Sequence, residues 1–214
     1  MTEPNHFTSG AVSRDSALQT LLDSFLAGLT AKVVPGSDAE AALNRVKRAL
    51  STCGHVVAGR SGGVDLPAFA QLQPALESAK ASGGSAGATA AALDTLAPKI
   101  TWYRREGLTS PLPDFADRHA LASLIGPADR QGTLEIRDDV RVGISLVAPE
   151  PPYPDHRHPP EELYLALTPG EWRQDLGPWF EPGPGGIVFN TSNILHGMRA
   201  SSGPQLALWC LPID

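Results

Sequence analysis

The chain has 214 residues, 42% of them hydrophobic and 19% charged, with 20 prolines, 21 glycines and a formal net charge of −6. That length buries a core without disulfides or a partner chain, and the composition is that of a globular protein rich in turns and short elements. The acidic balance contains no run of Lys or Arg beyond Lys47-Arg48 and Arg104-Arg105, which excludes an electrostatic footprint for nucleic acid or an anionic membrane surface.

The first residues, Met1 to His6, lack a basic stretch leading into an apolar core, and no run of eighteen apolar residues exists, so a cytoplasmic location is expected. From Asp15 onward Leu18, Leu21, Leu22, Phe25, Leu26 and Leu29 recur at helical spacing, with Ser13 or Asp15 as N-cap. A second helix is predicted to begin near Ser37-Asp38 and to carry Ala42, Val46, Ala49 and Leu50 on one face. A third is predicted over 66–81 and a fourth over 89–96, separated by a flexible Ser- and Gly-rich loop at 82–87. Residues 1–98 are therefore expected to form a helical N-terminal extension packed on the C-terminal part of the chain. Cys53 and Cys210 have no CxxC pattern around them and read as buried thiols.

After Pro98 helical periodicity gives way to short apolar runs broken by Gly, Pro and Asp. A strand is predicted over 100–103, then a Pro-rich linker at 111–115 and a short helical turn near His119. Further strands are predicted over 132–137, 140–148, 162–167, 172–174, 186–190, 196–199 and 206–211. Short strands at such regular spacing imply a mainly β fold, an antiparallel barrel or jelly roll spanning 99–214.

Chemistry concentrates in the stretch from Tyr153 to Tyr164. Residues two apart in a strand share a face, so His156 and His158 can aim two imidazoles into one cavity. Leu163, Leu165 and Leu167 alternate with Glu162, Tyr164 and Ala166, which sends the polar set to the barrel interior. Such a face is costly unless its groups are satisfied, and a bound cation satisfies two histidines and a carboxylate together. His196, on a separate predicted strand, is the candidate fourth ligand. His6, His55 and His119 have no comparable company and read as ordinary histidines. Arg157 alternates away from the ligands, toward the surface.

The pattern H-x-H-x3-E followed by a distant single His, carried by His156, His158, Glu162 and His196, resembles the two metal motifs of the cupin superfamily. It departs from the general pattern: Glu150 stands where a Gly is usual, Gly170 falls one place late, and no P-x-G precedes His196. The longer run Tyr153-x2-His156-x-His158-x3-Glu162-x-Tyr164, with a helical extension before it, resembles the dimethylsulfoniopropionate (DMSP) lyase branch of the cupins. That resemblance implies a cupin jelly-roll barrel and one divalent metal on His156, His158, Glu162 and His196. Zn, Fe, Mn, Co and Ni suit such ligands alike. It further implies a zwitterionic small-molecule substrate, DMSP, cleaved to dimethyl sulfide and acrylate by β-elimination. Tyr164 is the preferred base and Tyr153 the second catalytic candidate, binding or orienting substrate. A tyrosine with a free pKa of ~10 is a poor base at neutral pH unless a cation stabilises its phenolate. A sulfonium binds well over aromatic faces, so Trp102, Tyr103, Trp172, Trp179 and Trp209 are candidates for the leaving-group pocket, with Trp179 in a loop suited to a lid. The same ligands would also serve a cupin dioxygenase using iron and oxygen, or a metal-binding small-molecule sensor. The oligomeric state is open, a homodimer being one option.

Overall fold

The computed structural model describes residues 13–104, 115–149, 153–201 and 203–213. Asp15 starts helix α1, Ser16–Thr30, its carboxylate accepting from the amides of Ala17 at 2.9 Å and Leu18 at 3.3 Å. Ser37 caps α2, Asp38–Leu50, in the same way through the Glu40 amide. The third predicted helix is shorter than its pattern: Pro67 opens a 3-10 turn, Pro67–Gln71, and only then does α3, Leu72–Ser82, begin. The loop expected at 82–87 is absent. Gly83 and Gly84 adopt φ of 66° and 56° and reverse the chain on the spot, and α4 runs from Gly84–Leu96. Loop-like composition is overruled there by burial of Ala86, Ala90 and Leu93 in the core.

Among the described residues ten strands come in the order β1, His55–Val56; β2, His119–Gly126; β3, Glu135–Ile136; β4, Val140–Val147; β5, Tyr153–His156; β6, Glu162–Ala166; β7, Glu171–Gln174; β8, Ile187–Asn190; β9, His196–Arg199; and β10, Gln205–Pro212. Seven make one sheet in the order β1-β3-β2-β4-β10-β6-β8, and β5-β9-β7 make the second. The predicted strand at 100–103 is reduced to isolated bridges, Thr101 to Gly62 and Tyr103 to Leu121. His119, expected in a helical turn, opens β2; the turn lies just before it at Phe115–Asp117, and the rest of the 111–115 linker falls outside the described residues. All eight residues of β2 are buried, so its apolar run lacks the alternation that marks a half-exposed strand.

The large sheet presents two different faces. Val142, Ile144 and Leu146 of β4, Leu163 and Leu165 of β6, and Leu206, Leu208 and Cys210 of β10 join the buried faces of the four helices in one hydrophobic cluster. Gly28 of α1 permits that contact, because a Cβ there would stand 2.9 Å from the Leu165 side chain. The opposite, inward face packs Val147, Tyr164 and Val188 against Tyr153, Trp172 and Met198 of the small sheet. A buried ion cluster ties helices to sheet. Arg14 contacts Glu135 at 2.5 Å and the Leu50 carbonyl at 3.2 Å, and Glu135 also accepts from the Gly54 amide at 2.7 Å. Burial raises the Glu135 carboxyl, but Arg14, Gly54 and Arg137 outweigh it and hold the group below its ordinary value.

Candidate metal centre and its cavity

His156 ends β5 and His196 opens β9, and the two are paired across the small sheet. Their rings lie 4.3 Å apart, centroid to centroid. Strand alternation does not reach His158, because β5 stops at His156; a loop delivers that ring instead, 5.0 Å from His196 and 5.9 Å from His156. One device orients all three. Each Nδ1 faces a backbone carbonyl two residues away: His156 to Pro154 at 3.1 Å, His158 to Pro160 at 2.9 Å, His196 to Ile194 at 3.0 Å. A carbonyl can only accept, so Nδ1 carries the proton and Nε2 keeps its lone pair for the cavity. One nitrogen from each ring falls within 4.8 Å of the others.

Glu162 comes from the opposite wall, on the inward face of β6. Its Oε2 stands 3.4 Å from His158 Nε2 and 3.3 Å from His196 Nε2. Burial pushes this carboxyl up, but positive charge at the facing Nε2 atoms of His158 and His196, a proton or a cation in its place, outweighs burial and holds it well below the usual carboxylate range. Two lone-pair nitrogens this close to a carboxylate repel unless a cation stands among them. Among the described residues His196 Nε2 is buried and makes no hydrogen bond. A buried acceptor left over in this way, beside two further imidazoles and an ionised carboxylate, makes a donor set that could hold a divalent metal ion.

Two residues that sequence reasoning missed hold the carboxylate. Asn190 Nδ2 donates to Glu162 Oε2 at 3.3 Å, and Gln174 Nε2 donates to Asn190 Oδ1 and to the Phe189 carbonyl, both at 2.7 Å. The available signal is a polar residue closing an otherwise apolar strand, Ile187–Asn190.

A cavity of about 510 Å³ opens from this cluster, walled by His156, His158, Glu162, Tyr153 and Tyr164. Tyr153 packs on His156 at 5.0 Å and on His119 at 4.6 Å, and Tyr164 lies 6.3 Å from Trp172. The aromatic candidates separate. Tyr103 and Trp209 line the cavity, whereas Trp102 is buried against Phe69 in the helical core and Trp172 fills the barrel. Trp179, the lid candidate, does not line the cavity; the guanidinium groups of Arg173 and Arg199 stand 4.6 and 4.3 Å from its ring centroid. Arg157 is exposed, as alternation implied. Cys210 is buried, and burial pushes its thiol up, while Cys53 is only half-buried; both are free.

Two facing sheets with the cluster of imidazoles between them make a cupin-type β fold, and those imidazoles could hold a metal ion. A family model for dimethylsulfoniopropionate lyase matches residues 39–207, and the chain belongs to that family and is a lyase. The chain is similar in structure to the DMSP lyase DddQ from Ruegeria pomeroyi DSS-3, at 23% identity over 94% of this chain and 93% of that one, TM-score 0.65. A second match, from a study of the DMSP lyases RdDddP and RnDddQII, has 22% identity over 92% of each chain and a TM-score of 0.62. A cupin-2 domain from Rhodospirillum rubrum aligns with 55% of this chain and 72% of its own at 13% identity and a TM-score of 0.42. No curated protein sequence matches the chain. Among the described residues no helix is long and apolar enough to cross a membrane.

Proposed function

We propose that this lyase cleaves DMSP to dimethyl sulfide and acrylate by β-elimination, with His156, His158, Glu162 and His196 holding one divalent metal ion. The observation that carries the reading is that Tyr153 and Tyr164 wall the same cavity as His156, His158 and Glu162, in a chain of the DMSP lyase family. In this reading residues 1–98 are an extension that backs the barrel, and residues 99–214 carry the chemistry.

When bound, the ion supplies Lewis-acid stabilisation of the negative charge that develops on the substrate carboxylate. Tyr164, two residues beyond Glu162 on the inward face of β6, takes the α-proton onto its phenolate oxygen. As that C–H pair becomes the Cα–Cβ π bond, the Cβ–S bond breaks and its electrons leave with sulfur as neutral dimethyl sulfide. Tyr153, held between His119 and His156, orients the substrate. Tyr103 and Trp209 offer the faces on which a sulfonium rests before it leaves. Incubating metal-loaded protein with DMSP in the absence of oxygen tests the reading. Release of dimethyl sulfide with stoichiometric acrylate is expected; turnover only with oxygen, or none, defeats it.

A further inference from the structure

Arg141 is the only charged residue of β4, Val140–Val147, and it lines the same cavity as the histidine cluster. It is half-buried, and among the described residues its side chain makes no ion pair or hydrogen bond. The other basic groups on that wall differ. Arg104 is paired with Asp117 at 2.5 Å, and Arg130 is exposed at the rim beside Asp129, itself exposed. A guanidinium on an inward wall without an acid partner forgoes water for no protein contact, unless a ligand supplies the anion.

Strand register fixes where that anion would sit. Arg141 pairs with Leu211 of β10, and the β10–β6 ladder runs Trp209 to Tyr164 and Cys210 to Leu163. One step further sets Leu211 opposite Glu162, which pairs with Asn190. Arg141, Leu211, Glu162 and Asn190 thus form one inward row over four adjacent strands. Two strand spacings, about 10 Å, separate the Arg141 and Glu162 backbones, a gap the two side chains and a small carboxylate can close. The next inward row is Gly143, Trp209, Tyr164 and Val188, about 7 Å along the strands. Charges separated by three single bonds, about 5 Å, fit between these rows.

We propose that Arg141 is the carboxylate anchor of the cavity, gripping the substrate carboxylate through its guanidinium fork and leaving the cationic end beside Tyr164 and Trp209. The inference rests on the sulfonium-carboxylate reading above, and its ligand class is a short-chain monocarboxylate. The test is calorimetric titration of acrylate into zinc-loaded wild-type, Arg141→Gln, Arg141→Lys and Arg157→Gln proteins, with zinc content measured and DMSP kinetics run in parallel. Loss of a charge-assisted fork weakens acrylate binding about 10- to 100-fold in Arg141→Gln, raises KM for DMSP in proportion, and leaves zinc stoichiometry at one. Arg141→Lys, with a point charge in place of the fork, falls between, and Arg157→Gln matches wild type. Wild-type acrylate affinity in zinc-replete Arg141→Gln overturns the proposal; should that variant fail to fold, undiminished affinity in Arg141→Lys does so. Acrylate binding that depends on Arg141 in a protein releasing no dimethyl sulfide sustains the anchor and sinks only the lyase substrate.

Discussion

Each imidazole of the cluster is aimed by a carbonyl two residues away in its own chain segment, so its orientation is set locally and only its distance to the others depends on the fold. Replacing His196 by Ala therefore removes a ligand without disturbing how the other two are held, and metal content measured after dialysis should fall well below one per chain. Full occupancy in that variant would take His196 out of the site. Tyr164→Phe deletes one oxygen and keeps the ring against Trp172, so metal content should be unchanged while dimethyl sulfide release drops at least about 100-fold, the scale of general-base catalysis. Wild-type turnover would remove Tyr164 as base. Asn190→Ala frees the Glu162 carboxylate, and a supporting contact of this kind is worth about 10- to 100-fold in metal affinity, read by competition with a chromophoric chelator. An unchanged affinity would reduce Asn190 to packing. The His156 to Glu162 group was legible because one short segment carries three residues of metal-ligating type. Asn190, Gln174 and Arg141 were not, because their meaning lies in cross-strand register, which no single segment encodes.

At the scale of elements, what could be read ahead came from periodicity, and what could not came from its loss. The leucine stripe of α1 and the alternation of β6 each expose one face to a different environment, and both were predicted. β2 is covered on both faces and shows no pattern, and α4 hides its start in Gly and Ser, where packing of Ala86 decides. Neither Glu135 nor Arg14 belonged to any motif, yet their contact joins the start of α1, the end of α2 and β3. Glu135→Gln leaves Arg14 buried without its counter-charge, whereas Arg137 keeps Asp139, and the cost is about 3–5 kcal/mol in unfolding free energy by urea denaturation. A loss under about 1 kcal/mol would show the cluster to be dispensable. The folded-state pKa of Glu135 is depressed, so its contribution is fully present above the ordinary value of 4.5 and is lost as pH falls below it. Wild-type stability should therefore decline below about pH 4.5 more steeply than that of Glu135→Gln.

Taken whole, the molecule separates support from chemistry by the two faces of one sheet. Outward residues of β4, β6 and β10 are fixed by four helices, and the inward residues of the same strands form the cavity wall. Rigid backing of this kind holds inward side chains in place, but it leaves the proposed ligands of the small sheet, His156 and His196, joined to Glu162 only across the barrel. A cation bridging those walls should consequently stabilise the fold as well as the site. Binding to the native state alone contributes about 2.7 kcal/mol at a free metal concentration 100 times Kd, which for a chain of this length raises Tm by about 5–10 °C. Calorimetric scans of chelator-treated protein with and without zinc should show that rise in wild type and its loss in His196→Ala. An equal rise in both would mean that the ion binds elsewhere, and no rise in either would mean that the native chain does not bind it.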